Sequence, residues 1–563
     1  MRTIAVAFVT FAVLPLGACT RARGESQAAR VDKLFAAWDK KDSPGCAVGV
    51  SHNGAVVYEH GYGMANLELG VPITPATVFA IASITKSFSA MSTLLAAEQG
   101  KLSLDDEVQK YLLDWQDRDD HIKVRHLLTH TSGIRDAFAL LGWAPADPNA
   151  DVNESIVRIL SRQRGLNSAP GAEYMYNNGG YNLLATILKR ATGQSLGEFA
   201  GANIFTPLGM AHTSVHEDAA TLVPNRASGY TRDTRGWRAA KVDGGVIGNA
   251  GMYSTVDDLL RWEQNFDNPR VGRPDMLASM QKPMLLAGKP SPEHGLGFGL
   301  GEYRGLPTAA ASGGDYGIAT EVARFPTQHF SVAVLCNEDN IVMGGKARIN
   351  PDVFINGIAD IYLADALKPV DKTAPPPISA PSAPVVKLTD ADLSGKTGLY
   401  RMSGVDLPVR MTVAHGTLMW RSLFGDGSDL ELAPTAANRF LLFNSIPFEF
   451  VPGTAGKPRR WVVGAGKDQR VWGLVTYTLP PAELRAFAGD YRSDELDSMF
   501  NVEPKGSGLN VAHAADVAPY EKDVFVGDWV GIMKFSRDAR GAVDGFTVNR
   551  ANAVGVRFAK VTR

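Results

Sequence analysis

The stretch Ser83-Ile84-Thr85-Lys86 decides how the chain is read. From it onward Ile84, Phe88, Met91 and Leu95 recur at i, i+4, i+7 and i+11, the period of one buried helical face. Gly100 is the natural stop of that helix. Ser83 is thereby expected at the electropositive start of a long apolar helix, with Lys86 one turn on along the same face. A serine hydroxyl is a weak nucleophile until a neighbour takes its proton. A lysine can be that neighbour when burial disfavours its ammonium form. Spacing alone is insufficient, because Ser279-Met280-Gln281-Lys282 has it too. That copy runs into Pro283 and opens no apolar helix.

The chain around this stretch has 563 residues, 45% apolar and 21% charged, enough for two to four domains with a sizeable core. A net charge of −2 without long single-sign runs gives nucleic-acid binding no electrostatic support. At the N-terminus Arg2 precedes an apolar run, Ile4 to Leu16, too short to span a bilayer. Leu16-Gly17-Ala18-Cys19 then looks like a bacterial lipobox. Residues 1–19 are expected to direct export, with Cys19 lipidated as the mature terminus and 20–29 forming a polar tether. The expected product is a periplasmic or cell-envelope lipoprotein held to the membrane by its lipid, ordinary signal-peptide cleavage nearby being the alternative. Cys46 and Cys336 each lie in a strand-like apolar run, and two buried free thiols are the favoured reading, a disulfide being left open. No Cys/His cluster has zinc-ligand spacing, so neither metal nor cofactor is expected.

Residues 45–59 read as a hairpin around Asn53-Gly54, the pair preferred in type I′ turns. Further strands near 320–336 suggest an antiparallel sheet, with a mainly helical region at 104–265 between. One helix there runs from Tyr181 to Ala191 and stops at Gly193. Another starts at a capping-box-like Thr255 and Asp258. Six prolines between Pro369 and Pro384 mark an extended linker. Beyond it short strands repeat: Gly398, Tyr400 and Arg401 are echoed by Gly489, Tyr491 and Arg492. Phe450, Gly456 and Trp461 match Phe535, Gly541 and Phe546 at an offset of 85. Two small barrels are implied.

Other motifs lose to plainer readings. Gly193-Gln194-Ser195-Leu196-Gly197 fits a nucleophile elbow, but a helix enters it where a strand is needed. His126 and His130 have metal-ligand spacing without a neighbouring Glu or third ligand, so structural histidines are expected. Tyr176-Asn177-Asn178 follows the turn pair Pro170-Gly171. From an extended loop Tyr176 and Asn178 would point the same way, a phenol to share protons and an amide to hold a substrate.

Together these pieces resemble the serine β-lactamase/penicillin-binding-protein-like family, in particular its class C β-lactamase, D-aminopeptidase and esterase branch. The resemblance covers about residues 30–368. It rests on Ser-Ile-Thr-Lys at 83–86, His-Leu-Leu-Thr-His-Thr-Ser-Gly-Ile at 126–134, Tyr-x-Asn at 176–178, the segment 248–262, the glycine-rich 295–300 and the Gly313-Gly314 strand start. It implies an α/β (α+β) fold, a mixed, mostly antiparallel sheet beside an all-helical lobe with the site between. By that resemblance Ser83 forms an acyl-enzyme, Lys86 and Tyr176 share the proton work, and Asn178 holds the substrate amide. The third motif, a strand bearing Lys-Thr-Gly or His-x-Gly, has its counterpart in Ala311-Ser312-Gly313-Gly314, with the cation replaced by Ala311 or Ser312. Ser312, Gly313 and Gly314 are the substrate-side candidates. The oxyanion hole falls to the N–H of Ser83 and of Gly314 or Asp315, donors worth about 10²–10³ in rate.

The tail is similar to the D-aminopeptidase arrangement of two lipocalin-like barrels, most specifically at residues 489–496. The expected domains are the catalytic unit 30–368, a linker 369–387, and barrels at 388–478 and 479–563. The expected function is an exported serine hydrolase acting on a small ester or peptide. The rivals are a β-lactamase or DD-carboxypeptidase, and a non-catalytic penicillin-binding-like lipoprotein.

Overall fold

A computed structural model describes residues 25–369 and 386–561, except 114, 116–119, 146–150, 219, 234–235, 241–244, 287–288, 292–293, 340–348, 406, 415, 426–428, 443–445, 467–468 and 514. The export segment with Cys19, and most of the proline-rich linker, lie outside the described residues.

The first half is built on a six-stranded sheet. Its order is Gly299–Tyr303, Leu306–Asp315, Ile318–Phe325, Phe330–Cys336, Cys46–His52 and Ala55–Tyr62, each neighbouring pair antiparallel. Two isolated parallel bridges pair Val78 with Arg226 and Tyr230 with Glu338. Asn53 and Gly54 take φ of 52° and 77°, the left-handed pair that a tight hairpin requires. One face packs on the helices Gln27–Phe35 and Pro351–Tyr362 through Val31, Phe35, Phe354 and Ile358. The other meets the helix Val256–Asp267, where Gly49 leaves room for Val256 and Leu260. Thr255 caps that helix by accepting from the Asp258 N–H at 3.2 Å.

Cys46 and Cys336 correct the thiol reading. They face each other in the register of their strands, with Cα atoms 4.1 Å apart, and form a disulfide. The two strands come from opposite ends of the catalytic half, 290 residues apart, so spacing carried no sign of their meeting.

The helix Thr85–Glu98 runs between sheet and lobe and is buried from Thr85 to Ala96 on every side. Ile84, just before it, and Phe88, Met91 and Leu95 along one face are buried as the periodicity predicts. A helix buried all round needs small or internally bonded polar residues, and Ser87 and Thr93 donate to the carbonyls of Ile84 and Ser89.

Residues 398–474 and 489–560 each close an eight-stranded antiparallel barrel. The sequence repeat maps onto matching strands. Tyr400 and Tyr491 sit on the first strand of each barrel, and both hydroxyls donate to the carbonyl four residues back, Lys396 at 2.9 Å and Phe487 at 2.7 Å. Phe450 and Phe535 lie on the sixth strand of each, Trp461 and Phe546 on the seventh. The core of the second barrel runs into that of the helical lobe.

Candidate active site

Ser83 sits in a 3₁₀ turn, Ala82–Ile84, just before the α-helix and not at its first residue. Ala82 takes φ +44°, a left-handed conformation that costs an alanine energy and is found where a site over-determines the backbone. Gly313 explains how the turn is held. A Cβ there would lie 2.3 Å from the Ile81 carbonyl oxygen and 3.0 Å from the Ser83 nitrogen. Only a glycine strand can come that close to the nucleophile's main chain.

The Ser83 Oγ has two partners. Lys86 Nζ lies 2.8 Å away and Tyr176 Oη 3.0 Å away. Lys86 is 3% exposed, and burial pushes its amine down to about 7. Its second contact is donation to the Asn249 carbonyl at 3.0 Å. The Tyr176 and Tyr181 rings lie 4.9 and 5.8 Å from Nζ. Burial raises the Tyr176 phenol above its ordinary value, so it keeps its proton at neutral pH although the ring edge is open to solvent. Of the two partners of Ser83, Lys86 is thus the one whose amine is brought near neutral pH by burial.

His130 was read as structural, and its contacts explain what it supports. Its ring lies 4.6 Å from that of Tyr176 and 5.0 Å from that of Tyr181. Burial, then the charge of Lys86, push it down to about 3. The neutral ring accepts the Asn177 N–H at Nδ1, 3.1 Å away, and so fixes the loop carrying Tyr176. His126 instead accepts from the Lys123 N–H at the start of its own short helix. Ser195 caps the helix Leu196–Ala200 with Glu198 reaching back, and is no elbow nucleophile.

Asn178 departs from the extended-loop argument. It is the first residue of the helix Asn178–Thr192, capped by Asn177, whose Oδ1 accepts from the Gly180 N–H at 3.0 Å. Among the described residues its buried Oδ1 accepts no hydrogen bond. On the third-motif strand, alternation places Ala311 on the face of Gly313, toward Ser83, and turns the exposed Ser312 to the other face. Ala311 thus occupies the face the cation would take. The strand Gly299–Tyr303 pairs with this strand only as far as Ala310.

The second barrel reaches this site, which spacing could not foretell. Asn552 Nδ2 donates to the Tyr176 carbonyl at 2.8 Å, and the Asn552 carbonyl accepts from the Asp136 N–H at 2.7 Å. Asn249 and Asn552 arrive from 163 and 376 residues away from the groups they hold.

The Beta-lactamase family model matches residues 31–349, more than half of the chain. The chain belongs to the Beta-lactamase family. It is a serine hydrolase of that family, with the fold's sheet, helical lobe and two appended barrels. It is 27% identical to a D-aminopeptidase of Brucella canis over 526 residues, 92% of this chain and 96% of that protein. It is 30% identical to a D-aminopeptidase of Gluconobacter oxydans over 332 residues, 58% of this chain and 62% of the relative. Among solved structures, an octameric penicillin-binding protein homologue from Pyrococcus abyssi superposes with a TM-score of 0.51 at 23% identity, covering 77% of this chain and 96% of that one. FmtA from Staphylococcus aureus superposes with a TM-score of 0.50 at 22% identity, covering 62% and 92%.

Proposed function

We propose that this family member is an exported D-aminopeptidase- or esterase-type hydrolase that acts on a small ester or peptide through an acyl-Ser83 intermediate. The observation that carries the reading is the buried Lys86 amine 2.8 Å from Ser83 Oγ. The neutral amine takes the hydroxyl proton as Oγ attacks the acyl carbonyl carbon. The oxyanion forms against the N–H of Ser83 and of Gly314 or Asp315. As the tetrahedral species collapses, the bond to the leaving amine or alcohol breaks. Tyr176, still protonated and 3.0 Å from Oγ, passes the leaving group its proton and recovers one from Lys86. Water then repeats the sequence and releases the acid. Asn178, whose Oδ1 has no partner among the described residues, is assigned the substrate amide.

The substrate class draws support from two sources. The D-aminopeptidase of Brucella canis aligns along 92% of this chain, barrels included. Ala311 removes the cation that would meet a substrate carboxylate, which disfavours β-lactams and acidic peptide ends relative to esters and uncharged amides. Export is supported by the lipobox at Cys19 and by the Cys46–Cys336 disulfide, a bond that persists in oxidising compartments.

The test is a parallel screen of D- and L-alanine p-nitroanilides, p-nitrophenyl esters and nitrocefin, with Ser83→Ala beside the native enzyme. Turnover of D-alanine substrates or esters well above that of nitrocefin, and absent from Ser83→Ala, is expected. Dominant nitrocefin hydrolysis would move the assignment to a β-lactamase. Activity surviving in Ser83→Ala would remove the nucleophile.

A further inference from the structure

Asn182 stands one turn beyond Asn178 on the helix Asn178–Thr192 and is fully buried, and its amide bonds to Ile247, Asn249 and Asn153 and not to Ser83, Lys86 or Tyr176. The two N–H bonds of its Nδ2 are shared among the Ile247 carbonyl at 2.8 Å, Asn249 Oδ1 at 2.9 Å and, more weakly, Asn153 Oδ1 at 3.2 Å. A main-chain carbonyl can only accept, so Ile247 fixes which way the amide faces. Asn153 closes the ring, donating to the Ile247 carbonyl and accepting from the Ile247 N–H, both at 3.0 Å.

The segment Ile247-Gly248-Asn249 is therefore tied to the lobe on one side. On the other it is tied to the nucleophile helix. Ser89 Oγ donates to the Gly248 carbonyl at 2.7 Å, and Lys86 Nζ donates to the Asn249 carbonyl at 3.0 Å. Gly248, at φ +106°, lets the segment pack where a Cβ would lie 2.2 Å from the Tyr181 carbonyl oxygen. A neutral amine has one lone pair, and it can aim at the Ser83 proton only while its N–H bonds are committed elsewhere. The Asn249 carbonyl supplies that commitment.

We propose that Asn182 is a positioning residue for Lys86, holding the Asn249 carbonyl that orients the amine toward Ser83. The inference rests on Lys86 being the base of the reading above. The groups facing Lys86 are Ser83 from its own turn, Tyr176 and Tyr181 from the lobe, and neutral His130 behind them; Asp136 lies beyond Tyr176. Among the described residues no carboxylate forms an ion pair with Lys86, so the acid limb of activity reports on this amine.

The experiment compares Asn182→Leu, Asn249→Ala and the double variant of the full chain on a p-nitrophenyl ester across pH, with thermal unfolding as a control. Asn182→Leu is expected to lower kcat about tenfold, a typical cost of slight misplacement, with KM changed less than about twofold. Its acid limb is expected to shift by about half a unit or more, because the carbonyl acceptor and the shielding of the amine from water change together. Asn249→Ala cuts the same link from its other end, so it shifts the limb the same way, and the double variant is no worse than Asn182→Leu alone. A folded Asn182→Leu with native kcat and native acid limb overturns the proposal, as do additive losses in the double variant. Should Asn182→Leu not fold, an unchanged limb in Asn249→Ala overturns it. Failure of the underlying reading looks different: the native enzyme would itself lack an acid limb near 7, or keep one in Lys86→Met.

Discussion

Lys86→Met is expected to lower kcat by about 10²–10⁴, the range general-base catalysis supplies, while the protein stays folded. The two halves of that expectation come from one fact. Lys86 is 3% exposed inside a helix buried on every side, and burial disfavours its charge. A methionine of similar length fills the space without a desolvated amine, so stability holds or rises. What is lost is the acceptor for the Ser83 proton, and Tyr176 cannot replace it. Its phenol is pushed upward by burial and lacks a cation from the third motif to lower it, Ala311 standing on that face. Measured by steady-state kinetics and thermal unfolding together, a large loss of kcat with an unchanged or raised Tm fits the account. A loss that tracks unfolding does not.

The second large effect concerns the seat of the second barrel. Arg135 and Glu495 are 5% and 8% exposed and bonded at 2.9 Å. Arg135 also donates to the carbonyls of Val554 and Gly555 and to Gln163 Oε1, while Glu495 accepts from the Arg164 N–H at 2.6 Å. Arg135→Ala leaves a buried carboxylate without its cation, and breaking such a pair costs about 3–5 kcal/mol. The barrel is expected to loosen from the lobe, and the Asn552 contact with Tyr176 goes with it. Calorimetry should then resolve an early transition, and proteolysis should reach the connection near 475–488. Adding Glu495→Gln to Arg135→Ala should recover part of the loss, because the stranded charge is removed. A single native-like transition in Arg135→Ala would mean that the pair does not hold the barrel.

What the chain disclosed in advance follows the range of each signal. The helix after Ser83, the Asn53-Gly54 turn and the capped helix at Thr255 are local, set by periodicity and turn chemistry within a dozen residues. The barrel repeat was legible because duplicated strands keep their aromatic positions, as Tyr400 and Tyr491 do down to the same hydrogen bond. Contacts closed over long loops left no local trace. The Cys46–Cys336 bond, the Asn249 carbonyl on Lys86 and the Asn552 amide on Tyr176 are of this kind. Asn178 illustrates a third case, in which the residue was found but its backbone misjudged. Asn177 caps a helix there, so Asn178 starts that helix and does not extend a loop. The left-handed Ala82 had no local signal, and the Gly313 strand packed against its turn comes from over two hundred residues on.

The claim beneath all of this is that a neutral Lys86 draws the proton from Ser83. The most direct measurement is the pH dependence of kcat/KM for a p-nitrophenyl ester in the native enzyme and in Lys86→Met. Because the folded amine sits at about 7, activity should rise with pH through that value as the ammonium gives way to the amine, and the rise should vanish in Lys86→Met. A native profile flat from about pH 5.5 to about 9, or an acid limb that survives the loss of the lysine, would contradict it.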